Sequence, residues 1–488
     1  MEDKLRRELQ QLSPAQLREL LNASGHGQLL ADEKPAVDEQ LVAETKNEGN
    51  AFFRQGRLHD AVSSYSRCIE MDPNNAVCLS NRAAAFLKQK EFNLAVADCS
   101  KALEVAPTIK PFMRRATAFI ALEQYKQAVT DLTAALELEP RNKECCAKLQ
   151  AIVDAAIVVQ QRGNGANAEL RRAGVRAAAI FSVREGWSKS AVRGNPGPAA
   201  VNGHTLFRGD NGRIYLFGGR AAQACLHRGH GTRLQLSATR AASSIASTAE
   251  CRHEDLKEIP APRSGHAVVS IVEDNGDRIV FMFGGRTKRG VSDQLLILRL
   301  STIRTGSNAH DSVDATVAWE EVGPEAGSAW PSARDGHSMC LIPSTGNRTP
   351  RLIVFGGNGQ LNDDRMNDVW LFDVEKQLWT LLQCSGDIPP PRSYHTAHTV
   401  GEFLFVVGGR TAESEDGSVY MLDIGATEWF KVPIPSDHTL PPRAWHSSVL
   451  TKAGELFVLG GGTYHGPLKD AATLDLSYFH LKAPSLMQ

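Results

Sequence analysis

Two periods divide the chain. From residue 40 to about residue 160, small and apolar positions recur at helical spacing. From residue 179 to residue 482, short apolar runs recur at strand length and end in paired glycines. The first array shows its period when Pro73, Pro107 and Pro140 are aligned. Ala61, Ala95 and Ala128 each stand 12 positions before the proline, Phe52, Phe86 and Phe119 stand 21 before it, and Gly49, Ala83 and Ala116 stand 24 before it. This predicts pairs of helices that cross at the small residues, with the aromatics filling the gap and the proline stopping the second helix. Cys146, Leu149, Ile152, Val153 and Ile157 predict one more helix, covering the open end of the stack.

In the second array an apolar strand precedes Gly218-Gly219, Gly284-Gly285, Gly356-Gly357, Gly408-Gly409 and Gly460-Gly461. An arginine stands ahead of four of these strands with a histidine three residues later: Arg263 and His266, Arg334 and His337, Arg392 and His395, Arg443 and His446. The first copy keeps only Gly203-His204. Leu371-Phe372-Asp373, Leu422-Asp423 and Leu474-Asp475 mark later strands, and Trp319, Trp379 and Trp429 close three of the copies.

Two segments lie outside the arrays. Residues 1 to 38 predict a helical arm. Leu5, Leu9 and Leu12 form one short stripe, and Ser13, Pro14 and Gln16 supply start chemistry for a second helix carrying Leu17, Leu20 and Leu21. Leu17 to Leu21 also matches an LxxLL docking motif, a pattern that any short amphipathic helix produces. Residues 162 to 178, with Gly163, Gly165, Arg171, Arg172 and Arg176, read as a short basic connector with room for some helix, solvated in preference to a patch for RNA or acidic lipid.

Composition narrows the class. With 488 residues, more than one domain is expected. The formal net charge of -1 gives no general pull toward nucleic acid or membrane. The 9 cysteines contain no Cys-x-x-Cys pair, so they predict neither a disulfide framework nor a zinc site and suit a reducing compartment. No apolar run reaches signal-peptide or membrane-span length, and the expectation is a cytoplasmic protein.

The first array resembles tetratricopeptide repeats, and residues 40 to 161 are expected to form three of them plus a capping helix. Within it, Lys46 and Asn50 share a helix face, as do Lys110 and Arg114, and Asn81 falls between them in the middle repeat. These are the positions at which chaperone-binding members of the family carry Lys, Asn, Asn, Lys and Arg. The resemblance therefore implies a clamp for the Glu-Glu-Val-Asp terminus of Hsp90 or Hsp70. The chemistry agrees: a C-terminal aspartate presents two carboxylates, for which Lys offers point charge, Arg a planar fork and Asn an oriented amide. The alternative is a groove of solvated polar residues.

The second array resembles kelch repeats, which implies an all-β propeller over residues 179 to 482. Five blades are expected, or six if an irregular copy lies in residues 221 to 255. The last copy lacks a Trp strand, and Phe181 to Trp187 is expected to complete it and close the ring. In peptide-binding kelch propellers the loop after the glycines faces the partner, which nominates Arg220, Arg286 and Arg410, with Tyr394 and Trp445 beside them. Solvated arginines and packed aromatics are the competing reading. The histidines recur once per blade and do not converge, so no metal or cofactor is expected, nor an enzyme. The chain as a whole reads as a non-enzymatic co-chaperone adaptor whose propeller binds an unidentified client; the alternative is a general protein-binding scaffold.

Overall fold

The structure, a computed structural model, describes residues 38 to 161, 168 to 189, 201 to 208, 214 to 221 and, short internal gaps aside, 261 to 487. The helical arm with its LxxLL motif and the sixth-blade candidate at 221 to 255 lie outside the described residues, apart from Ala23 and Ala221. The chain divides into two compact units, Met1–Asp131 and Leu132–Gln488.

The first unit is a stack of antiparallel helix pairs: α1 (Glu39–Arg54) with α2 (Leu58–Met71), α3 (Ala76–Gln89) with α4 (Phe92–Val105), then α5 (Ile109–Ala121) and the start of α6 (Tyr125–Leu138). Polar caps set the starts. Asp38 accepts hydrogen bonds from the backbone of Gln40 and Leu41, and Asn75 accepts from that of Cys78. The small residues do what their spacing predicts: Ala61, Ala83, Ala95 and Ala116 are fully buried. The aromatics do something further. Phe52, Phe86 and Phe119 stay half-buried and carry the guanidinium groups of Arg57, Arg82 and Arg115 over their faces at 4.3, 5.8 and 5.9 Å.

Cys68 and Cys78 form a disulfide, where the sequence predicts unpaired cysteines. They come from facing helices, α2 and α3, which the intervening turn folds back on each other; a spacing of 10 residues carries no recognisable motif. Cys99, Cys145, Cys146, Cys340 and Cys384 are not in disulfides.

In the second unit, α7 (Lys143–Gln161), α8 (Ala168–Ser182) and the C-terminal α9 (Ser477–Met487) pack together. This corrects the connector predicted for 162 to 178. Its alanines and glycine are a contact face, with Ala173, Gly174, Ala177 and Ala178 buried. A side chain on Gly174 would run into Ala156 of α7. Two of its arginines are not solvated either: Arg171 pairs with Asp423 at 2.9 Å and Arg176 with Glu428 at 2.6 Å, while Arg172 is exposed as expected. Helix α9 likewise replaces the tail of the predicted propeller. Its Phe479 stacks edge-on against Phe403 and Phe405.

The propeller strands are β1 (Trp187–Lys189), β2 (Val201–Arg208), β3 (Ile214–Ala221), β4 (Ala267–Val272), β5 (Arg278–Phe283), β6 (Leu295–Arg304) and β7 (Val313–Val322). Then come β8 (Ser338–Ile342), β9 (Arg351–Asn358), β10 (Arg365–Asp373), β11 (Leu378–Leu382), β12 (Thr396–Val400), β13 (Phe403–Arg410), β14 (Glu415–Asp423), β15 (Glu428–Val432), β16 (Ser447–Leu450), β17 (Glu455–Leu459) and β18 (Ala471–Asp475). Three consecutive blades are antiparallel meanders, β4 to β7, β8 to β11 and β12 to β15. The fourth orders β16, β17, β18 and then β1, with Trp187 opposite Leu474, so the early strand closes the last blade as expected. It is shorter than predicted, because Phe181 to Glu185 continue α8 and end in a 3-10 turn. The pair β2–β3 is the described part of a further blade.

The recurring motif residues join one blade to the next. Arg334, Arg392 and Arg443 are fully buried. Each donates Nη1 to the carbonyl of the first glycine of its own blade: Gly356, Gly408 and Gly460. Each is neutralised by an aspartate, Asp368, Asp416 or Asp470, at 2.7 to 3.0 Å. The carbonyls of Arg334, Arg392 and Arg443 accept from the second glycine of the preceding blade: Gly285, Gly357 and Gly409. Glycine is required there because φ is +108° at Gly357 and a Cβ would stand 2.8 Å from that of His337. Tryptophans fill the seams: Trp379 lies 5.2 Å from Phe283 of the blade before, and Trp429 lies 5.0 Å from Phe355.

Candidate functional site

The first candidate site lies on α1, α3 and α5, the leading helices of the three pairs. Their polar side chains form a hydrogen-bond ladder across the stack. Arg114 Nη1 donates to Ser80 Oγ at 2.6 Å and reaches Asn81 Oδ1 at 3.4 Å. Asn81 Nδ2 donates to Asn50 Oδ1 at 3.1 Å. The hydroxyl of Tyr65 donates to that same oxygen at 2.8 Å. Three of the five predicted residues, Asn50, Asn81 and Arg114, are thus brought together directly. Lys46 and Lys110 stand one turn earlier on α1 and α5, with no ion pair among the described residues. Tyr65 and Ser80 are additions that the helix-face argument missed, since Tyr65 comes from α2.

Two neighbouring arginines separate structure from function. Arg115 is bound at both ends of its fork by Asp131 at 2.8 Å, with Ser100 behind it at 2.9 Å. Arg82 repeats this with Asp98 at 2.7 Å and Ser66 at 2.9 Å. Those hydrogen-bonded carboxylates push both guanidinium groups above their ordinary range. Arg114 has no acid among the described residues, and burial pushes it below that range. A half-buried cation without a counter-ion is costly, and an incoming carboxylate would offset the cost.

The second candidate site is one face of the propeller. The residue before each motif histidine takes a left-handed backbone: Gly265 (φ 66°), Gly336 (φ 62°), Tyr394 (φ 55°) and Trp445 (φ 55°). These four turns hydrogen-bond in series, Gly336 N to Gly265 O, Tyr394 N to Gly336 O, and Trp445 N to Tyr394 O, at 2.6 to 3.0 Å. A left-handed backbone costs a non-glycine residue roughly 1–2 kcal/mol. Here it brings the two rings together, 5.1 Å apart and 31° from parallel. Arg410 lies 5.9 Å from the Trp445 ring but is paired to Glu415 at 3.1 Å. Arg286 is paired to the buried Asp335 at 2.8 Å. Both predicted docking arginines therefore already have acids of their own. The Arg220 side chain lies outside the described residues. Two of the motif histidines bind hydroxyls of neighbouring blades, His395 to Ser338 at 2.9 Å and His446 to Thr396 at 2.9 Å.

Comparison with known proteins places both arrays. A family model described as the KLHDC2/KLHL20/DRC7 Kelch-repeats domain matches residues 314–483. Tetratricopeptide-repeat models match residues 49–90, 76–109 and 109–142. The chain therefore contains tetratricopeptide repeats followed by a kelch-repeat domain, two architectures used for protein binding.

Kelch domain-containing protein 2 of Bos taurus is 27% identical over 242 residues, covering 45% of this chain and 54% of that protein. Kelch domain-containing protein 3 of Bos taurus is 28% identical over 213 residues, covering 42% and 48%. The chain spans about half the length of the curated relatives it matches. Among solved structures, the first TPR of Spaghetti (RPAP3) bound to the HSP90 peptide SRMEEVD is 35% identical, covers 25% of this chain and 98% of that one, and has a TM-score of 0.25. The Arabidopsis OM64 TPR domain is 36% identical, covers 22% and 91%, and has a TM-score of 0.22.

Proposed function

We propose that this chain is a non-enzymatic adaptor. Its helical repeats grip the free Glu-Glu-Val-Asp terminus of Hsp90 or Hsp70, and its propeller holds a client or assembly partner. The observation that carries this reading is the contrast between Arg114, half-buried without an acid among the described residues, and Arg115, half-buried with one. The amide ladder and the two lysines on the same helices supply the other donors that a two-carboxylate chain end requires. Linking such a grip to a propeller raises the local concentration of client near chaperone.

Affinity capture with the full chain tests it. Hsp90 or Hsp70 should be recovered from a cell lysate and displaced by excess Glu-Glu-Val-Asp peptide as the free acid, but not as the C-terminal amide. Recovery of other partners with neither chaperone would favour a general scaffold instead.

A further inference from the structure

The ladder has a direction, and the direction decides what the groove presents. Arginine can only donate, so the atom of Asn81 facing Arg114 is its oxygen. The nitrogen of Asn81 then faces Asn50, whose oxygen must accept it. That oxygen also accepts the Tyr65 hydroxyl, so the Asn50 amide nitrogen, with its two N–H donors, points away from both partners. Without a second donor on that oxygen, one hydrogen bond of 3.1 Å from a half-buried Asn81 would alone resist a flip of the amide.

Tyr65 reaches this place through a gap made for it. The ring is 1% exposed and lies against Gly49, where a Cβ would stand 2.7 Å from Cε1. The repeat alignment shows that the arrangement is confined to the first repeat. The equivalents of Asn50 are Ala84 and Thr117, and those of Tyr65 are Cys99 and Leu132. Hydroxyl and amide occur together and are absent together.

We infer that Tyr65 is a positioning residue of the peptide site, and that its hydroxyl locks the Asn50 amide so that both N–H donors face the ligand carboxylate. The role rests on the clamp reading above and goes beyond it: a core aromatic of the second helix determines how well the groove tells a carboxylate from an amide.

The test is calorimetry on the full chain with a Glu-Glu-Val-Asp peptide, as free acid and as C-terminal amide. Tyr65→Phe keeps the ring beside Gly49 and removes one neutral hydrogen bond, so acid affinity should fall by about fivefold while amide affinity stays unchanged. In an Asn50→Ala background the same substitution should have no further effect, which a purely structural role would not produce. Asn50→Asp keeps the inner acceptor and turns the outer amide into a carboxylate oxygen; it should bind the acid no better than the amide. Wild type preferring the acid while Tyr65→Phe equals it would overturn the positioning role alone. So would an equal loss from Tyr65→Phe with and without Asn50, or acid binding by Asn50→Asp at the wild-type level. Wild type binding both peptides alike would overturn the clamp and this role with it.

Discussion

Replacing Arg114 by alanine is expected to weaken binding of a Glu-Glu-Val-Asp free-acid peptide by about 10- to 100-fold, the value of one charge-assisted hydrogen bond. It should leave the melting temperature unchanged or slightly raised, because a poorly compensated cation leaves the helical stack. The adjacent Arg115→Ala should behave in the opposite way. It strands the buried Asp131, and breaking such a pair costs roughly 3–5 kcal/mol, so the stack should melt earlier. Calorimetry and far-ultraviolet circular dichroism on the two variants read these outcomes. The pair is informative because the side chains share a helix and a charge and differ in whether the protein supplies the acid. Loss of binding in Arg115→Ala at unchanged stability would show that the assignment is reversed.

Acidification from pH 7.5 to pH 5 is expected to destabilise the propeller, by about 2 kcal/mol through His337 alone. Burial, with the charge of Arg334 and then His266 nearby, pushes His337 down to about 3. Burial, with Arg392, His337 and His446 nearby, holds His395 well below its usual range. Both are bases with folded values below the unfolded value of about 6.5, so between those limits the unfolded chain binds more protons. Their stabilising contribution is intact above pH 6.5 and falls as the pH drops toward the folded values. At pH 5 the deficit for His337 is about 1.5 pH steps, or about 2 kcal/mol, and His395 adds to it in the same direction. Urea unfolding followed by tryptophan fluorescence reads it cleanly, since all 7 tryptophans lie between residues 187 and 445. His337→Gln should shrink the pH difference by about 2 kcal/mol whatever it does to absolute stability. An unchanged difference would show that the histidine is not the proton sink.

The repeat periods were legible because each repeat must solve the same packing problem. Gly49, Ala83 and Ala116 mark one helix crossing three times, and Gly284-Gly285 through Gly460-Gly461 mark one close approach four times over the described blades. The groove residues were legible for a related reason: register on a repeat fixes which face a side chain occupies. The arginine counter-ions were only half legible. In the helical stack Asp98 follows Arg82 by 16 residues and Asp131 follows Arg115 by 16, a recurrence that could have been found. In the propeller Asp368, Asp416 and Asp470 follow their arginines by 34, 24 and 27 residues, because the loops between differ in length, and no period survives.

Helix α8 was misread because an Ala- and Arg-rich stretch has the composition of a linker. Its helical face becomes meaningful only against α7, α9 and the acids Asp423 and Glu428, about 250 residues away in sequence. Tyr65 was missed because a buried tyrosine at a repeat position looks like core. Its hydroxyl acquires a role only when Asn50 is placed 2.8 Å from it.

Calorimetric titration of the full chain with a short peptide ending in Glu-Glu-Val-Asp, as the free acid and as the C-terminal amide, decides whether the helical repeats grip a free chain end. The acid is expected to bind, and amidation to weaken binding by about tenfold or more, since it removes one of the two carboxylates the site is built to hold. Equal affinity for the two peptides, or no binding of the acid, would contradict it.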